Sequence, residues 1–234
     1  MRLYVVIVMA LSAGARAGQG GGILQTIRNG LNSAAATITS PFVTTEMVPY
    51  TVDRTVMDAN NKTVLYEQRT YPGQKWVCTS KVIDTSEGGS DGIFMRLFRY
   101  ISGENEQNQT VPMTSPVSML RVPLSPEITV TEEGEPQSRL TMCFYINKEF
   151  QENPPAPSSP DVFLEERPTM TVIANRVGGY MSEDDWQDLA KKLKDDATAN
   201  GETGVDYSKF YRAGYDSPMK LWNRRNEVWY VKQV

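Results

Sequence analysis

The sequence predicts an α+β fold: an antiparallel sheet or barrel with two helices on its outside. Three observations predict it. Strand-like stretches of β-branched and aromatic residues outnumber helical ones. Two segments of the body carry an apolar stripe at helical spacing, while a third stripe in the arm, Ile23, Ile27 and Leu31, is weakened by Gly30 and its short length. A weak internal repeat ties strands and helices together: Val64-Leu65-Tyr66-Glu67-Gln68-Arg69 is echoed by Val162-Phe163-Leu164-Glu165-Glu166-Arg167. Each copy is followed by a second strand and then a helix, and Ser115-Pro116 after the first helix matches Ser217-Pro218 after the second. Strands followed by few helices, twice over, favour helices packed on one face of an antiparallel sheet.

The elements follow in order. Arg2 precedes the apolar run Leu3 to Leu11, and Ala15-Arg16-Ala17 closes it, the pattern of a secretory signal peptide over residues 1–17. The run is too short to cross a bilayer, which needs roughly 20 apolar residues. Residues 18–45 open with Gly18-Gln19-Gly20-Gly21-Gly22 and read as a flexible N-terminal arm. The body starts near Glu46. Residues 63–69 and 75–82 read as paired strands, with Pro72-Gly73 as the turn between them. Ser90 or Asp91 is expected to cap a helix bearing Ile93, Phe94, Leu97, Phe98 and Ile101, which Gly103 stops. Val111 to Pro116 reads as a rigid turn entering a strand. Asn153-Pro154-Pro155-Ala156-Pro157-Ser158-Ser159-Pro160 excludes helix and central strand, so it connects the halves. Gly178-Gly179 is a backbone turn, without the spacing of a dinucleotide loop. The second helix starts at Ser182, with Asp185 completing a capping box and Trp186, Leu189, Ala190, Leu193 and Ala197 on one side. Arg224-Arg225-Asn226-Glu227 reads as a hairpin turn held by local hydrogen bonds.

Composition removes whole classes of chemistry. The 234 residues include no His and two Cys, with 24 Lys+Arg against 28 Asp+Glu. No Ser-His-Asp triad or His-containing zinc site can be built from this chain, and two Cys do not make a four-thiolate metal site. No metal site and no catalytic residue is expected. An acidic balance without a Lys/Arg run argues against nucleic acid as a partner. Export gives two further features a meaning. Asn61-Lys62-Thr63 and Asn108-Gln109-Thr110 are N-glycosylation sequons in polar stretches. Cys78 and Cys143 form either one disulfide or two buried free thiols.

Ordered pieces of the sequence now resemble a known family. Tyr66-Glu67-Gln68-Arg69, Phe98-Arg99-Tyr100-Ile101-Ser102-Gly103-Glu104-Asn105, and Val111-Pro112-Met113-Thr114-Ser115-Pro116-Val117 come first. Pro154 to Pro157, Val177-Gly178-Gly179-Tyr180, Ala213-Gly214-Tyr215-Asp216-Ser217-Pro218-Met219-Lys220 and Arg224 to Trp229 follow in the same order. Residues 46–234 are similar to the SOUL/haem-binding protein family. The resemblance implies a distorted antiparallel β-barrel flanked by two α-helices and built from two similar halves. It implies non-enzymatic binding of haem or another porphyrin in a shallow apolar groove beside the first helix, and the signal-peptide pattern adds an extracellular setting, carriage or scavenging. Phe94, Leu97 and Phe98 would face the porphyrin, while Arg99 and Lys220 stand where the family places basic residues near the propionates. Asp91 departs from the Arg that some members carry. With no axial His, the iron is left to the groove or to a weak ligand such as Met95 or a Tyr. Two alternatives stand beside this one: a secreted interaction or defence protein that keeps the fold without porphyrin, and a hydrolase using Glu67 or Glu165 as base. Both carboxylates sit two residues from an Arg on the same strand, so an ion pair is the simpler expectation.

Overall fold

The computed structural model describes residues 45–84, 92–124, 137–216 and 223–233. The expected signal peptide, nearly all of the expected arm, Ser90, Asp91 and Lys220 lie outside the described residues. Short strands β1 (Glu46–Met47) and β5 (Thr114–Ser115) pair in parallel. Nine others form one antiparallel sheet: β2 (Thr51–Met57), β3 (Val64–Tyr71), β4 (Gln74–Asp84), β6 (Val117–Pro123), β7 (Gln137–Tyr145), β8 (Val162–Arg167), β9 (Met170–Val177), β10 (Tyr211–Gly214) and β11 (Asn226–Lys232). Helices α1 (Ile93–Ile101) and α2 (Glu183–Ala199) interrupt the strands at equivalent points.

The strand order β2-β3-β9-β11-β10-β6-β7-β4-β8 turns the sequence repeat into topology. Without β2, exchanging β3 with β8, β4 with β9, β6 with β10 and β7 with β11 reads the same order backwards. The two halves therefore trade first strands: β3 of the first half lies on β9 of the second, and β8 lies on β4. This corrects the expected β3–β4 hairpin. Residues 67–79 run along 162–174 in a single antiparallel register, broken only at Pro72-Gly73 and the facing Pro168-Thr169. A proline offers no N–H to a ladder, so one on each strand, Pro72 facing Thr169 and Pro168 facing Gly73, interrupts a long ribbon without reversing it. The Gly73 amide donates instead to Thr169 Oγ1 at 3.2 Å.

Alternation along each strand divides the core into three layers. Trp76, Cys78, Cys143, Tyr145, Val172, Ala174 and Trp229 point inward and form one cluster. Val77, Met142 and Phe144, one residue away, point outward under α1. Ile173, Val228 and Tyr230 do the same under α2. The inner cluster joins strands far apart in the sheet order, and Arg167 of edge strand β8 donates to Ser118 Oγ of β6 at 3.1 Å. Such contacts require the sheet to curl on itself, which matches the expected distorted barrel, with β2 and β8 as its two unjoined edges.

Two local points refine the sequence reading. Cys78 and Cys143 face each other across β4 and β7, and they are joined as a disulfide. At the start of α1 the N-cap is Gly92, with φ of 86° and no side-chain cap bond, rather than Ser90 or Asp91. By contrast α2 has the full capping box: the Asp185 amide donates to Ser182 Oγ, and the Ser182 amide donates to the Asp185 carboxylate.

Candidate functional site

Helix α1 is nine residues long and amphipathic in an unusual way. Its core stripe is Ile93, Leu97, Tyr100 and Ile101, all buried. At 100° per residue, Phe94 and Phe98 fall on one flank of that stripe, Arg96 on the other, and Arg99 on the outer face beside Arg96. The two flanks differ in chemistry. Phe94 and Phe98 are half-buried, stacked on each other at 6.1 Å between ring centres with 16° between planes. Phe94 also meets the edge of Phe144 at 5.3 Å, so the pair is anchored to β7. Met113, Val117, Met119 and Phe150 are the other partly buried apolar side chains against this cluster. They cover the same core cluster as the Phe pair.

The Arg flank is polar. Arg96 donates to the Ser80 carbonyl at 3.3 Å and lies 3.5 Å from the Asp161 carboxylate. Arg99 is more than half exposed and 3.8 Å from Glu104. Both border a cleft of about 220 Å³ whose far wall is the segment Pro157 to Val162. The proline-rich connector is tied to α1 by Tyr100, whose hydroxyl donates to the Pro155 carbonyl at 2.7 Å. Burial pushes that hydroxyl's pKa up to about 12, so it stays a donor across the physiological range.

A second constellation lies inside the sheet. Glu227 on β11 is fully buried and accepts from both terminal nitrogens of Arg69, from Arg225, from the Tyr215 hydroxyl and from the Trp229 indole. Burial alone would raise its pKa, but the Arg69 and Arg225 charges and the indole bond outweigh that and hold it below the usual carboxylate range. Burial would lower the Arg69 pKa, and Glu227 reverses the sign and raises it. At the equivalent corner of the other half, Arg167 lies over Trp76 at 4.2 Å, pairs with Glu165 at 2.6 Å and has no counterpart of Glu227. Cys143 stands there, in the ladder position opposite Cys78 that Glu227 occupies opposite Arg176. Glu165 also lies near both sulfurs, but they are bonded to each other, so neither offers a metal a thiolate.

Residues 45–231 match the family model described as SOUL heme-binding protein. The chain belongs to the SOUL family. Human heme-binding protein 2 is 36% identical over 177 residues, covering 75% of this chain and 82% of the relative. Mouse heme-binding protein 1 is 36% identical over 171 residues, covering 72% and 85%. Among solved structures, the C-terminal domain of EcmrR superposes with a TM-score of 0.48 at 12% identity over 73% of this chain and 99% of that domain, a likeness that carries no argument here.

The positions expected from the SOUL resemblance are only partly brought together. Phe94 and Phe98 share one flank. Leu97 has no exposed surface and sits in the core layer, where it holds the helix down. Arg99 faces Glu104 around the helix from the Phe pair. Lys220 and Asp91 lie outside the described residues, and Met95 is half-buried on α1. The carboxylates weighed as bases are ion-paired, Glu67 to Arg69 at 2.8 Å and Glu165 to Arg167 at 2.6 Å. Asn61 and Asn108 are exposed, each with a left-handed backbone, φ 53° and 51°. Sequence reading missed the Glu227 network, because Arg225-Asn226-Glu227 looks like a turn. Its signal was the Glu-x-Arg pair of each half, repeated in reverse at Arg225 and Glu227.

Proposed function

We propose that this SOUL-family protein binds haem or a related tetrapyrrole, without catalysis, on the Phe94–Phe98 flank of α1. The observation that carries the reading is the stacked, half-buried aromatic pair, anchored on Phe144 and packed on the same apolar cluster as Leu97, Met113, Val117 and Met119. A porphyrin offers two wide apolar faces, and burying apolar area contributes about 25 cal/mol per Å². Phe rings present such area at little conformational cost and in stacking geometry. Arg99 faces Glu104 around the helix from this pair and would have to swing over the outer face to reach a propionate, with Lys220 as the second basic partner for charge-assisted hydrogen bonds at the ligand's edge. The chain has no histidine, so any axial ligand is weak, with Met95 the thioether on the same helix. The ligand is then held mainly by its faces, and metal-free protoporphyrin should bind within about tenfold of haem.

Carriage or scavenging outside the cell is the setting that the leader-like residues 1–17, the sequons and the disulfide support. Asn61 and Asn108 are exposed and lie outside the strands and helices, as an attached glycan requires. Titrating residues 18–234 with haem and following the Soret band tests the binding. Saturable one-to-one binding supports it, and the absence of saturable binding leaves an interaction protein on the same fold. Expression through a secretory pathway tests the setting. The reading expects protein in the medium that begins at Gly18 and shifts in mass on endoglycosidase treatment, with the shift removed by Asn61→Gln with Asn108→Gln. Intracellular retention with an intact N-terminus contradicts it.

A further inference from the structure

The two exchanged seams are equivalent by the fold's internal symmetry, yet they are closed to different extents. The β4–β8 seam is paired as far as Thr79 and Val162. The β3–β9 seam stops at Glu67 and Ala174. Beyond that point Val64, Leu65 and Tyr66 leave β9, and a cleft of about 400 Å³ opens between the strands. The Asn175 amide crosses it there, donating to the Leu65 carbonyl. The volume falls within the range of small-molecule sites, about 300–1,000 Å³.

Its walls have two characters. Val64, Leu65 and Val177 make one side apolar, and Val64 is nearly half exposed. The other side is charged by Arg69, Arg176 and Arg225 against Glu67, with Glu227 behind. Glu227 bridges Arg69 and Arg225, and Glu67 takes the remaining nitrogen of Arg69. Three guanidinium charges therefore meet two carboxylates. The uncompensated one is Arg176, which is exposed and makes no ion pair among the described residues, although it lies directly across the ladder from Glu227. Arg225 has already taken that carboxylate, donating through Nε at 2.8 Å.

We propose that this cleft binds a small amphiphilic monocarboxylate, its apolar part between Val64, Leu65 and Val177 and its carboxylate on Arg176. One anion restores the charge balance, and a guanidinium binds a carboxylate through two parallel bonds. The site lies in the second half's seam, away from the Phe94–Phe98 flank, and does not depend on tetrapyrrole binding.

The test uses naphthalene-2-carboxylate as probe, followed by its fluorescence against residues 18–234, with 2-naphthamide as the neutral analogue. The expected result is saturable one-to-one binding, at least tenfold weaker for the amide and for Arg176→Glu, with Arg176→Lys, which keeps the charge but loses the two-bond fork, falling between Arg176→Glu and the parent. Val64→Asp, at a half-exposed position, should also weaken it at least tenfold. Phe94→Ala with Phe98→Ala should leave it within twofold. Circular dichroism melting of each variant checks that the fold is kept. Absence of saturable binding, equal binding of acid and amide, indifference to Arg176→Glu, or loss in the Phe variant overturns the proposal.

Discussion

Helices α1 and α2 occupy equivalent places in the two halves, α1 packed outside β4, β7 and the exchanged β8, α2 outside β9, β11 and the exchanged β3, and their outer surfaces are opposites. Helix α2 has 17 residues, a capping box, and the i,i+4 pairs Lys191–Asp195 and Lys192–Asp196 on its solvent side. Helix α1 has nine residues, no side-chain cap, and two phenylalanines on its flank. Duplication within one fold separates two demands. One helix is self-supporting and covered in charge; the other offers apolar area and relies on its neighbours to hold it. The interior repeats the contrast, with Glu227 bridging two arginines in one corner and a disulfide beside a singly paired Arg167 in the other.

The largest expected effect separates these corners. Glu227→Ala leaves buried Arg69 and partly buried Arg225 without their shared carboxylate and should cost about 3–5 kcal/mol in denaturant unfolding. Glu165→Ala removes a partner that is one-third exposed and should cost about 1 kcal/mol or less. Equal losses would mean that the corners are not different in kind. Glu227 also sets an acid limit. Its folded pKa lies below the ordinary 4.5, so the unfolded chain takes up the proton first. The stability it contributes is complete above about pH 4.5 and is lost as pH falls through the folded value, and Glu227→Gln should flatten that part of the acid-unfolding curve.

Leu97→Ala comes next. A wholly buried leucine under α1 should cost about 2–5 kcal/mol, and because it anchors the helix bearing the Phe pair, tetrapyrrole affinity should fall with it. Replacing both Cys78 and Cys143 by Ala should cost about 2–4 kcal/mol, since the bond closes a long loop in the unfolded chain. The smallest effect concerns the caps. Ser182→Ala breaks the capping box of α2 and should cost about 1 kcal/mol without altering haem binding. A change in haem affinity there would show that α2 contributes to the site after all.

Much of this was legible in the sequence, and the parts that were not share a cause. The capping box at Ser182, the helical stripes and the echo of Val64 to Arg69 at Val162 to Arg167 are local signals, and each names an element. Partner choice is not local. Pro72-Gly73 carries the chemistry of a hairpin turn, but the strand that best fits β3 lies about a hundred residues away in the exchanged half. The same holds for Cys78 and Cys143, whose bond follows from the β4–β7 register, and for Glu227, whose role exists only when β3 and β11 share an interior. For the candidate site, the apolar helix could be read from spacing. Which of its residues face outward depends on where the sheet lies, and that moved Leu97 to the core and Arg99 around to Glu104.

The most direct test of the contrast between the helices is one haem titration, read at the Soret band, of three proteins covering residues 18–234. They are the parent, Phe94→Ala with Phe98→Ala, and Lys191→Ala with Asp195→Ala on α2. The account predicts at least tenfold weaker binding for the α1 variant, with α2 within twofold of the parent and both variants melting as folded proteins. Parental affinity in the α1 variant, or an equal loss in both, would contradict it.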